Sequence, residues 1–180
     1  HVQDNGWLDP VENGEIAGTV GESKRMEAIK VALVNKSNSG NIEYRTHVQN
    51  EGWMSWVKGG KLSGTSGKSL RMEAIQLKLT GDLAKEYDIY YRVHAQNFGW
   101  LDWAKNGQTA GTSGYGYRLE AIEIRLVKKG KNAPGKTDKP KQVRNVSYQA
   151  HVQNIGDTGI GYDGDLVGTV GKTLRMEAIK

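Results

Sequence analysis

Apolar and polar side chains alternate with a period of two in three stretches of the chain. In the first stretch, NIEYRTHVQN at residues 41–50, Tyr44 lies on the apolar face and His47 lies on the other. The same alternation recurs in DIYYRVHAQN at residues 88–97 and in NVSYQAHVQN at residues 145–154. Alternation over about eight residues is typical of a half-buried β-strand, so each stretch is predicted to be a strand.

The stretch LRMEAIQLKL, at residues 70–79, alternates less regularly. Strict alternation would place Ile75 on the same face as Arg71 and Glu73. Burying an arginine and a glutamate among apolar side chains costs several kcal/mol unless the two charges are paired. We therefore predict a β-bulge near Ala74 that exchanges the two faces of the strand.

Two sequence blocks occur four times in the same order. The first blocks are HVQDNGWLDP (1–10), HVQNEGWMSW (47–56), HAQNFGWLDW (94–103) and HVQNIGDTGI (151–160). The second blocks are GTVGESKRMEAI (18–29), GTSGKSLRMEAI (64–75), GTSGYGYRLEAI (111–122) and GTVGKTLRMEAI (168–179). The initial histidine precedes the glutamate of the second block by 26 positions in every repeat, as from 47 to 73. A fixed internal spacing with connectors of variable length is typical of a repeat architecture.

Glycine-rich segments such as GGKLSGTSGKS, at residues 59–69, separate the strands and indicate tight turns. Each repeat then holds about three short strands, which cannot cover their own apolar face. We therefore predict an all-β fold of tandem repeats of about 46 residues, three of which close into a pseudo-threefold β-prism-like or β-trefoil-like domain. Met26, Met72 and Leu119 are expected at equivalent buried positions in that domain.

The predicted domain boundaries follow from the repeats and from one segment of unusual composition. Residues 1–127 are predicted to form the three-repeat β domain. Its repeats lie at residues 1–34, 42–80 and 87–127. Residues 128–142 form a Lys/Pro/Gly linker, and residues 143–180 form a fourth repeat that begins a second, incomplete unit.

The linker is predicted to be a flexible tether, because a Lys/Pro/Gly segment has too little apolar surface to order itself. Binding of an acidic partner, such as a cell-wall polyanion, is the alternative. We expect the fourth repeat to self-associate, by packing against another chain or by strand exchange, because it cannot cover its own apolar side chains. The chain starts inside a repeat, at His1, and we expect it to be part of a longer protein.

Composition and charge exclude several classes of protein. The net charge is +5, but lysines of the linker account for much of the excess, so we predict no nucleic-acid partner. No apolar run approaches the roughly 18 residues of a membrane span, so no membrane insertion is predicted. The chain has no cysteine, which excludes disulfides and thiolate-bound metals. The sequence has no catalytic or nucleotide-binding motif in a supporting context, and we predict no enzyme activity, no cofactor and no metal.

The combination of GW(x)xW with GT(x)G(x)xLRMEAI resembles the ChW repeat, the clostridial hydrophobic repeat with a characteristic tryptophan. The resemblance covers nearly the whole chain outside the linker. It implies a secreted or cell-surface protein of clostridia or related Gram-positive bacteria. In that family, tandem repeats accompany adhesion, cell-wall or polysaccharide-degrading modules, so an extracellular location is expected.

The tryptophans occupy two positions of the repeat and allow two interpretations. The first position holds Trp7, Trp53 and Trp100, and the second holds Trp56 and Trp103. A tryptophan can fill the core, or it can form an exposed platform on which a sugar ring stacks. We expect the first position in the core and the second on the surface, since Pro10 replaces the second tryptophan in repeat one. The predicted ligand-binding residues are Trp56, Trp103, Asp102, Asn50 and Asn97.

The other motif residues are predicted to hold the repeat together. These residues are His47, Trp53, Arg71, Glu73, His94, Trp100, Arg118 and Glu120. Arg71 is expected to pair with Glu73, two residues along the strand, and His47 to bond a backbone carbonyl. Two catalytic alternatives exist: a histidine base oriented by the glutamate 26 residues later, and a carboxylate pair such as Glu73 with Asp102 that hydrolyses a glycoside.

The predicted function is a non-catalytic binding module. It would anchor its parent protein to cell-wall or extracellular polysaccharide through several weak aromatic sites. The alternative partner is another protein, bound by exposed aromatic side chains and edge strands in an interaction or adhesion module.

Overall fold

The structure, a computed structural model, describes residues 1–34, 39–163 and 165–180. The chain divides into two compact units, His1–Gln142 and Val143–Lys180, which we call unit one and unit two. Unit one holds the first three repeats together with residues 128–142, which we call the lysine-rich segment, and unit two holds the fourth repeat. Both units are built almost entirely from β-strands, as the all-β prediction requires.

Unit one contains twelve strands and one short helix within its described residues. Repeat one has β1 (Ile16–Gly18) and β2 (Ala28–Ile29). Repeat two has β3 (Asn41–Val48), β4 (Gly52–Trp53), β5 (Val57–Lys58), β6 (Ser63–Gly64) and β7 (Met72–Thr80). After the helix α1 (Leu83–Glu86), repeat three has β8 (Tyr87–Ala95), β9 (Gly99–Trp100), β10 (Ala104–Lys105), β11 (Ala110–Gly111) and β12 (Leu119–Lys128).

Two long antiparallel pairs, β3 with β7 and β8 with β12, supply most of the core of unit one. Burial along β3 alternates at every residue, which confirms the strand predicted from the hydrophobic pattern. Tyr44 and Tyr91 are fully buried on these strands, and their hydroxyls donate to the carbonyls of Lys61 and Gln108. Each tyrosine therefore fixes a later loop of its own repeat to the core.

A β-bulge interrupts both long pairs at the glutamate of the second block. His47 pairs with Ala74, but the next residue, Val48, pairs with Met72, so Glu73 is the extra residue. The same shift occurs at Glu120 in repeat three. The predicted bulge near Ala74 is confirmed.

Short glycine-ended strands join the three repeats in a cycle. Strand β6 pairs with β2, β11 pairs with β7, and β1 pairs with β12, so each repeat pairs with both of the others. At each junction the glycine lies so close to its neighbour that a Cβ on Gly111, for example, would lie 2.4 Å from the Glu73 carbonyl oxygen. Gly111 has a φ of +132°, a conformation that favours glycine, so the close approach and the backbone conformation both require glycine here.

The centre of this cycle buries one side chain from each repeat. Met26, Met72 and Leu119 are all buried, as expected from the sequence. The Met26 amide donates to the Leu119 carbonyl and the Met72 amide donates to the Met26 carbonyl, each over 2.8 Å. The strand pairings within the described residues form no closed barrel, and the β-prism-like or β-trefoil-like closure stays a prediction.

The lysine-rich segment belongs to unit one and contacts repeat three. The Trp103 amide donates to the Lys136 carbonyl over 2.8 Å, and the Gly111 amide donates to the Pro140 carbonyl over 3.0 Å. The Gln142 amide returns a hydrogen bond to the Gly111 carbonyl. The prediction of a flexible tether over residues 128–142 is therefore wrong for this part, because backbone hydrogen bonds order it without large apolar side chains.

Unit two contains five short strands among the residues that the structure describes. They are β13 (Ser147–Tyr148), β14 (Ala150–Val152), β15 (Gly156–Asp157), β16 (Gly161–Tyr162) and β17 (Met176–Ile179). Strand β14 lies between β15 and β17, and β13 pairs with β16. Of the residues with a described placement, none belongs to a helix with the length and apolarity needed to cross a membrane.

Candidate functional site

Basic side chains and tryptophans alternate on the outer face of repeat two. His47 meets the Trp53 ring edge-to-face at 5.4 Å between ring centres. The guanidinium carbon of Arg45 lies 4.9 Å from the Trp53 ring centre and 4.8 Å from that of Trp56. The Lys78 ammonium lies 4.3 Å from the Trp56 ring centre. We call these five side chains the repeat-two row.

The local sequence explains how the row forms. Arg45 and His47 are two residues apart on β3, so both project from its outer face. The turn after β3 brings β4 back so that Trp53 pairs directly with His47. That turn has Asn50 at a φ of +63° and Gly52 at +73°.

Asn50 and Asn97 were predicted to bind ligand; Asn50 lies in this turn, and Asn97 lies in the equivalent turn of repeat three. Asn97 has a φ of +68°, so each asparagine adopts the left-handed conformation that asparagine tolerates better than most residues. The turn by itself is thus a sufficient reason for asparagine at these positions. Their role in ligand binding stays a prediction.

In repeats two and three, a buried glutamate pairs with an arginine and with the histidine of the first block. In repeat two, Glu73 lies 2.8 Å from Arg71 Nη2 and 3.1 Å from His47 Nδ1. In repeat three, Glu120 lies 2.7 Å from Arg118 Nη2 and 2.9 Å from the histidine ring. The predicted pairing of Arg71 with Glu73 is confirmed. The expectation that His47 bonds a backbone carbonyl is wrong, because the glutamate at the bulge reaches its ring.

The catalytic alternatives have little geometric support. The His–Glu arrangement exists, yet it recurs in repeats one, two and three with the arginine attached, as a group that holds the bulge. The Asp102 carboxylate accepts the Lys139 amide over 2.9 Å, whereas Glu73 is held by Arg71 and His47. Among the contacts of the described residues, none joins Glu73 to Asp102.

Repeat three carries an equivalent row in which a carboxylate contacts the arginine. Arg92 lies 4.7 Å from the Trp100 ring centre and 5.0 Å from that of Trp103. Its Nε and Nη2 both contact Glu123 Oε2, at 2.8 and 2.7 Å. Arg125 contacts the other oxygen of the same carboxylate, at 2.8 and 2.7 Å. The Arg92 guanidinium is therefore already occupied by an internal acid.

In repeat three, the burial of the two tryptophan positions is the opposite of the prediction. Trp103, predicted as an exposed platform, is only 4% exposed. The backbone at Gly135 lies against its indole, since a Cβ on that glycine would lie 3.0 Å from the ring nitrogen. Trp100, predicted in the core, is half-buried. Both assignments are wrong because the lysine-rich segment covers the second tryptophan and leaves the first at the surface.

In repeat two, the two tryptophans are similar in exposure. Repeats one and four lack most of the row. Trp53 and Trp56 are both half-buried, so Trp53 is not a core residue as predicted either. Trp7 is 45% exposed, with Lys30 4.5 Å from its ring centre. In repeat four, Asp157 replaces the first tryptophan and bonds His151.

Sequence reasoning missed the arginine two residues before the histidine. Arg45 and Arg92 precede His47 and His94 by the same interval, on the same strand face. This spacing, together with the two tryptophans that follow, was a signal for the row. Sequence reasoning also missed Asp88. Burial opposes the ionisation of this carboxyl, but hydrogen bonds from Lys105 and Lys129 outweigh the effect of burial and hold its pKa below the usual range.

Within the described ranges, no group of three or more histidine and acidic side chains is placed to hold a metal ion. Comparison with curated proteins and with solved structures gave no match. One protein-family model matches the chain at residues 1–35, 47–81, 94–128 and 151–180, which include all four repeats. The matched family is described as Clostridial hydrophobic W, or ChW, and the chain belongs to it.

Proposed function

We propose that the chain is a non-catalytic binding module of a secreted Gram-positive bacterial protein, located outside the cell. It attaches that protein to cell-wall or extracellular polysaccharide. The observation that carries the proposal is the repeat-two row, in which Arg45 and Lys78 flank the half-buried Trp56. An indole offers an apolar surface to sugar C–H groups, and cationic N–H groups donate to hydroxyls and acids.

Binding through this row is weak for a single site. A half-buried indole offers only part of its surface, and an aromatic contact of this kind contributes on the order of 1 to 3 kcal/mol by analogy with stacking on bases. The exposed Trp7 of repeat one provides a second contact in the same unit. Two or more such contacts to one polymer raise the overall affinity without strengthening either site.

A protein partner is the second candidate, and one observation favours it. Residues 135–139 of the chain itself cover Trp103 in repeat three, with hydrogen bonds from the amides of Asp102 and Trp103 to carbonyls of Lys139 and Lys136. A face of this type therefore accepts a polypeptide segment. An adhesion module would use the equivalent face of repeat two for a segment of another protein.

We also propose self-association through the fourth repeat, with a second copy of this chain as the partner. Met176 and Ile179 are exposed in unit two, and an open depression of about 290 Å³ beside them is lined by Tyr148, Leu166 and Val167 among others. In unit one, strands of neighbouring repeats cover the equivalent side chains. A fourth repeat from another copy offers the same strands in trans.

The binding function is tested with Trp56→Ala and its matched control Trp103→Ala. Tryptophan fluorescence and pull-down would be measured with peptidoglycan, cellulose and xylan. We expect Trp56→Ala to weaken polymer binding several-fold and to change the melting temperature little. Trp103→Ala should lower the stability by about 3 to 5 kcal/mol, because its ring is buried.

Two results would contradict the polysaccharide proposal. The first is no binding of any of these polymers by the unaltered chain. The second is binding that Trp56→Ala leaves unchanged. If the synthetic peptide of residues 131–142 binds the unaltered chain while every polymer fails, the protein-interaction candidate is favoured instead.

A further inference from the structure

The rows of repeats two and three differ at the residue that faces the arginine. In repeat three, Glu123 gives one carboxylate oxygen to both Nε and Nη2 of Arg92. In repeat two, the equivalent residue is Gln76, and its Oε1 accepts a hydrogen bond from the Arg45 Nε over 2.7 Å. A neutral amide thus stands where the other row has a carboxylate.

Gln76 is held in this orientation from its other end. Its Nε2 donates to the Thr109 hydroxyl over 2.8 Å, which fixes Oε1 towards Arg45. The nearby acid Glu43 pairs with Lys78 at 3.2 Å. In the part of the chain that the structure describes, the two Nη groups of Arg45 therefore have no carboxylate partner.

The Arg45 guanidinium is also preorganised. It lies within 5 Å of the ring centres of Trp53 and Trp56, at 4.9 and 4.8 Å, so its plane is restricted on the strand face. A guanidinium whose Nη groups are free binds a carboxylate through two parallel hydrogen bonds, and less rotamer freedom is lost when its position is already restricted.

We propose that the repeat-two row binds a carboxylate-bearing sugar, such as a uronic acid residue of an acidic polysaccharide, with Arg45 as the carboxylate receptor. Trp56 contacts the sugar ring beside it, and Lys78 adds a second positive charge. This inference rests on the proposed polysaccharide-binding function and specifies its ligand class. Repeat three lacks this activity, because Glu123 occupies Arg92 and residues 135–139 cover Trp103.

The repeat-three row supplies the design of the test. Gln76→Glu introduces the internal acid that occupies Arg92 in repeat three and should occupy Arg45 in the same way. Gln3→Glu in repeat one adds the same charge away from the row and is the matched control. Arg45→Lys, which keeps the charge but loses the planar pair of donors, is the second variant.

The probes are polygalacturonate and its fully methyl-esterified form, which has the same sugar backbone without the charge. We expect the unaltered chain to bind the acid form more tightly than the ester. Gln76→Glu should weaken binding of the acid form about tenfold, the size expected for one charge-assisted pair. Gln3→Glu should leave it unchanged, Arg45→Lys should weaken it, and all variants should melt near the unaltered chain.

A direct readout comes from NMR titration of the full chain with galacturonate, in which the Arg45 side-chain N–H resonances should shift and those of Arg92 should not. Equal binding of acid and ester forms would overturn this proposal while leaving the polysaccharide function in place. An unchanged affinity of both Gln76→Glu and Arg45→Lys would have the same meaning. Failure of the unaltered chain to bind any polymer would overturn both proposals.

Discussion

The same four letters, MEAI, are buried in repeat two and exposed in repeat four. Met72 and Ile75 are each 0% exposed, whereas Met176 and Ile179 are 51% and 69% exposed. In unit one, strand β11 of the next repeat pairs with β7 beside these side chains, while β17 in unit two pairs with β14 of its own repeat. Burial of this motif is therefore supplied by neighbouring repeats and not by the repeat that contains it.

The charged group next to the motif differs in the same way. In repeat four, Glu177 lies 3.7 Å from the Arg175 guanidinium and 3.9 Å from the His151 ring, both longer than the equivalent contacts in repeats two and three. His151 contacts Asp157 instead, at 2.7 Å. The short Arg–Glu–His contacts are thus found where the strand that carries the glutamate is buried by neighbouring repeats.

The largest contrast is expected from truncating the central methionine. Met72→Ala should destabilise unit one by about 2 to 5 kcal/mol, because it leaves a cavity among fully buried side chains. Met176→Ala should change the stability of unit two by less than about 1 kcal/mol. Urea denaturation followed by amide NMR signals would measure each unit separately. Equal effects of the two substitutions would show that unit two is covered in solution.

The glutamate at the bulge should give the next largest contrast. Glu73→Ala leaves Arg71 and His47 without their buried acid, and we expect a loss of about 2 to 3 kcal/mol. Glu177→Ala removes a longer and more exposed contact, and we expect a loss below about 1 kcal/mol. Thermal melting of the two variants provides the comparison. A stable Glu73→Ala protein would mean that the bulge does not need the ion pair.

Alkaline pH should sharpen the comparison through the buried tyrosine. Burial raises the pKa of Tyr91 above its ordinary value, so the folded state favours the neutral phenol. Its contribution to stability is therefore complete below the unfolded pKa of about 10 and is lost as the pH rises above it. Tyr91→Phe, which lacks the titrating group, should lose less stability than the unaltered chain between pH 8 and pH 11.

Urea denaturation at both pH values measures this difference, with Tyr148→Phe of the exposed fourth repeat as the control. At pH 8, Tyr91→Phe should be less stable by about 1 kcal/mol, because it loses the hydrogen bond to the Gln108 carbonyl. A stability gap between variant and unaltered chain that stays constant with pH would contradict a buried neutral phenol.

Self-association is expected to be the weakest effect. If fourth repeats of separate copies cover one another, sedimentation should show a concentration-dependent increase in mass. Met176→Lys should abolish the increase, because it places a charge on the apolar face. Lys172→Met, a change at an exposed turn of the same unit, is the control and should keep it. A monomer at all concentrations would mean that the exposed face has no partner in this chain.

The sequence predicted features within one strand correctly and burial by distant residues incorrectly. The strand from Asn41 to Val48, a bulge near Ala74 and the pairing of Arg71 with Glu73 were all predicted, since each depends on residues within one strand and its period of two. The burial of Trp103 was predicted wrongly. It depends on residues more than thirty positions later in the chain, and no local pattern connects them.

The sequence by itself determined the repeat, its strands and the residues that can lie side by side on one strand. Side-chain alternation and short-range charge pairs are properties of a single extended segment. They can therefore be predicted without knowing which part of the chain packs against that segment. Only the tertiary structure decided which tryptophans are covered, that residues 135–139 contact repeat three, and that Met176 stays exposed. Burial is a property of two surfaces, and the second surface comes from a distant part of the chain.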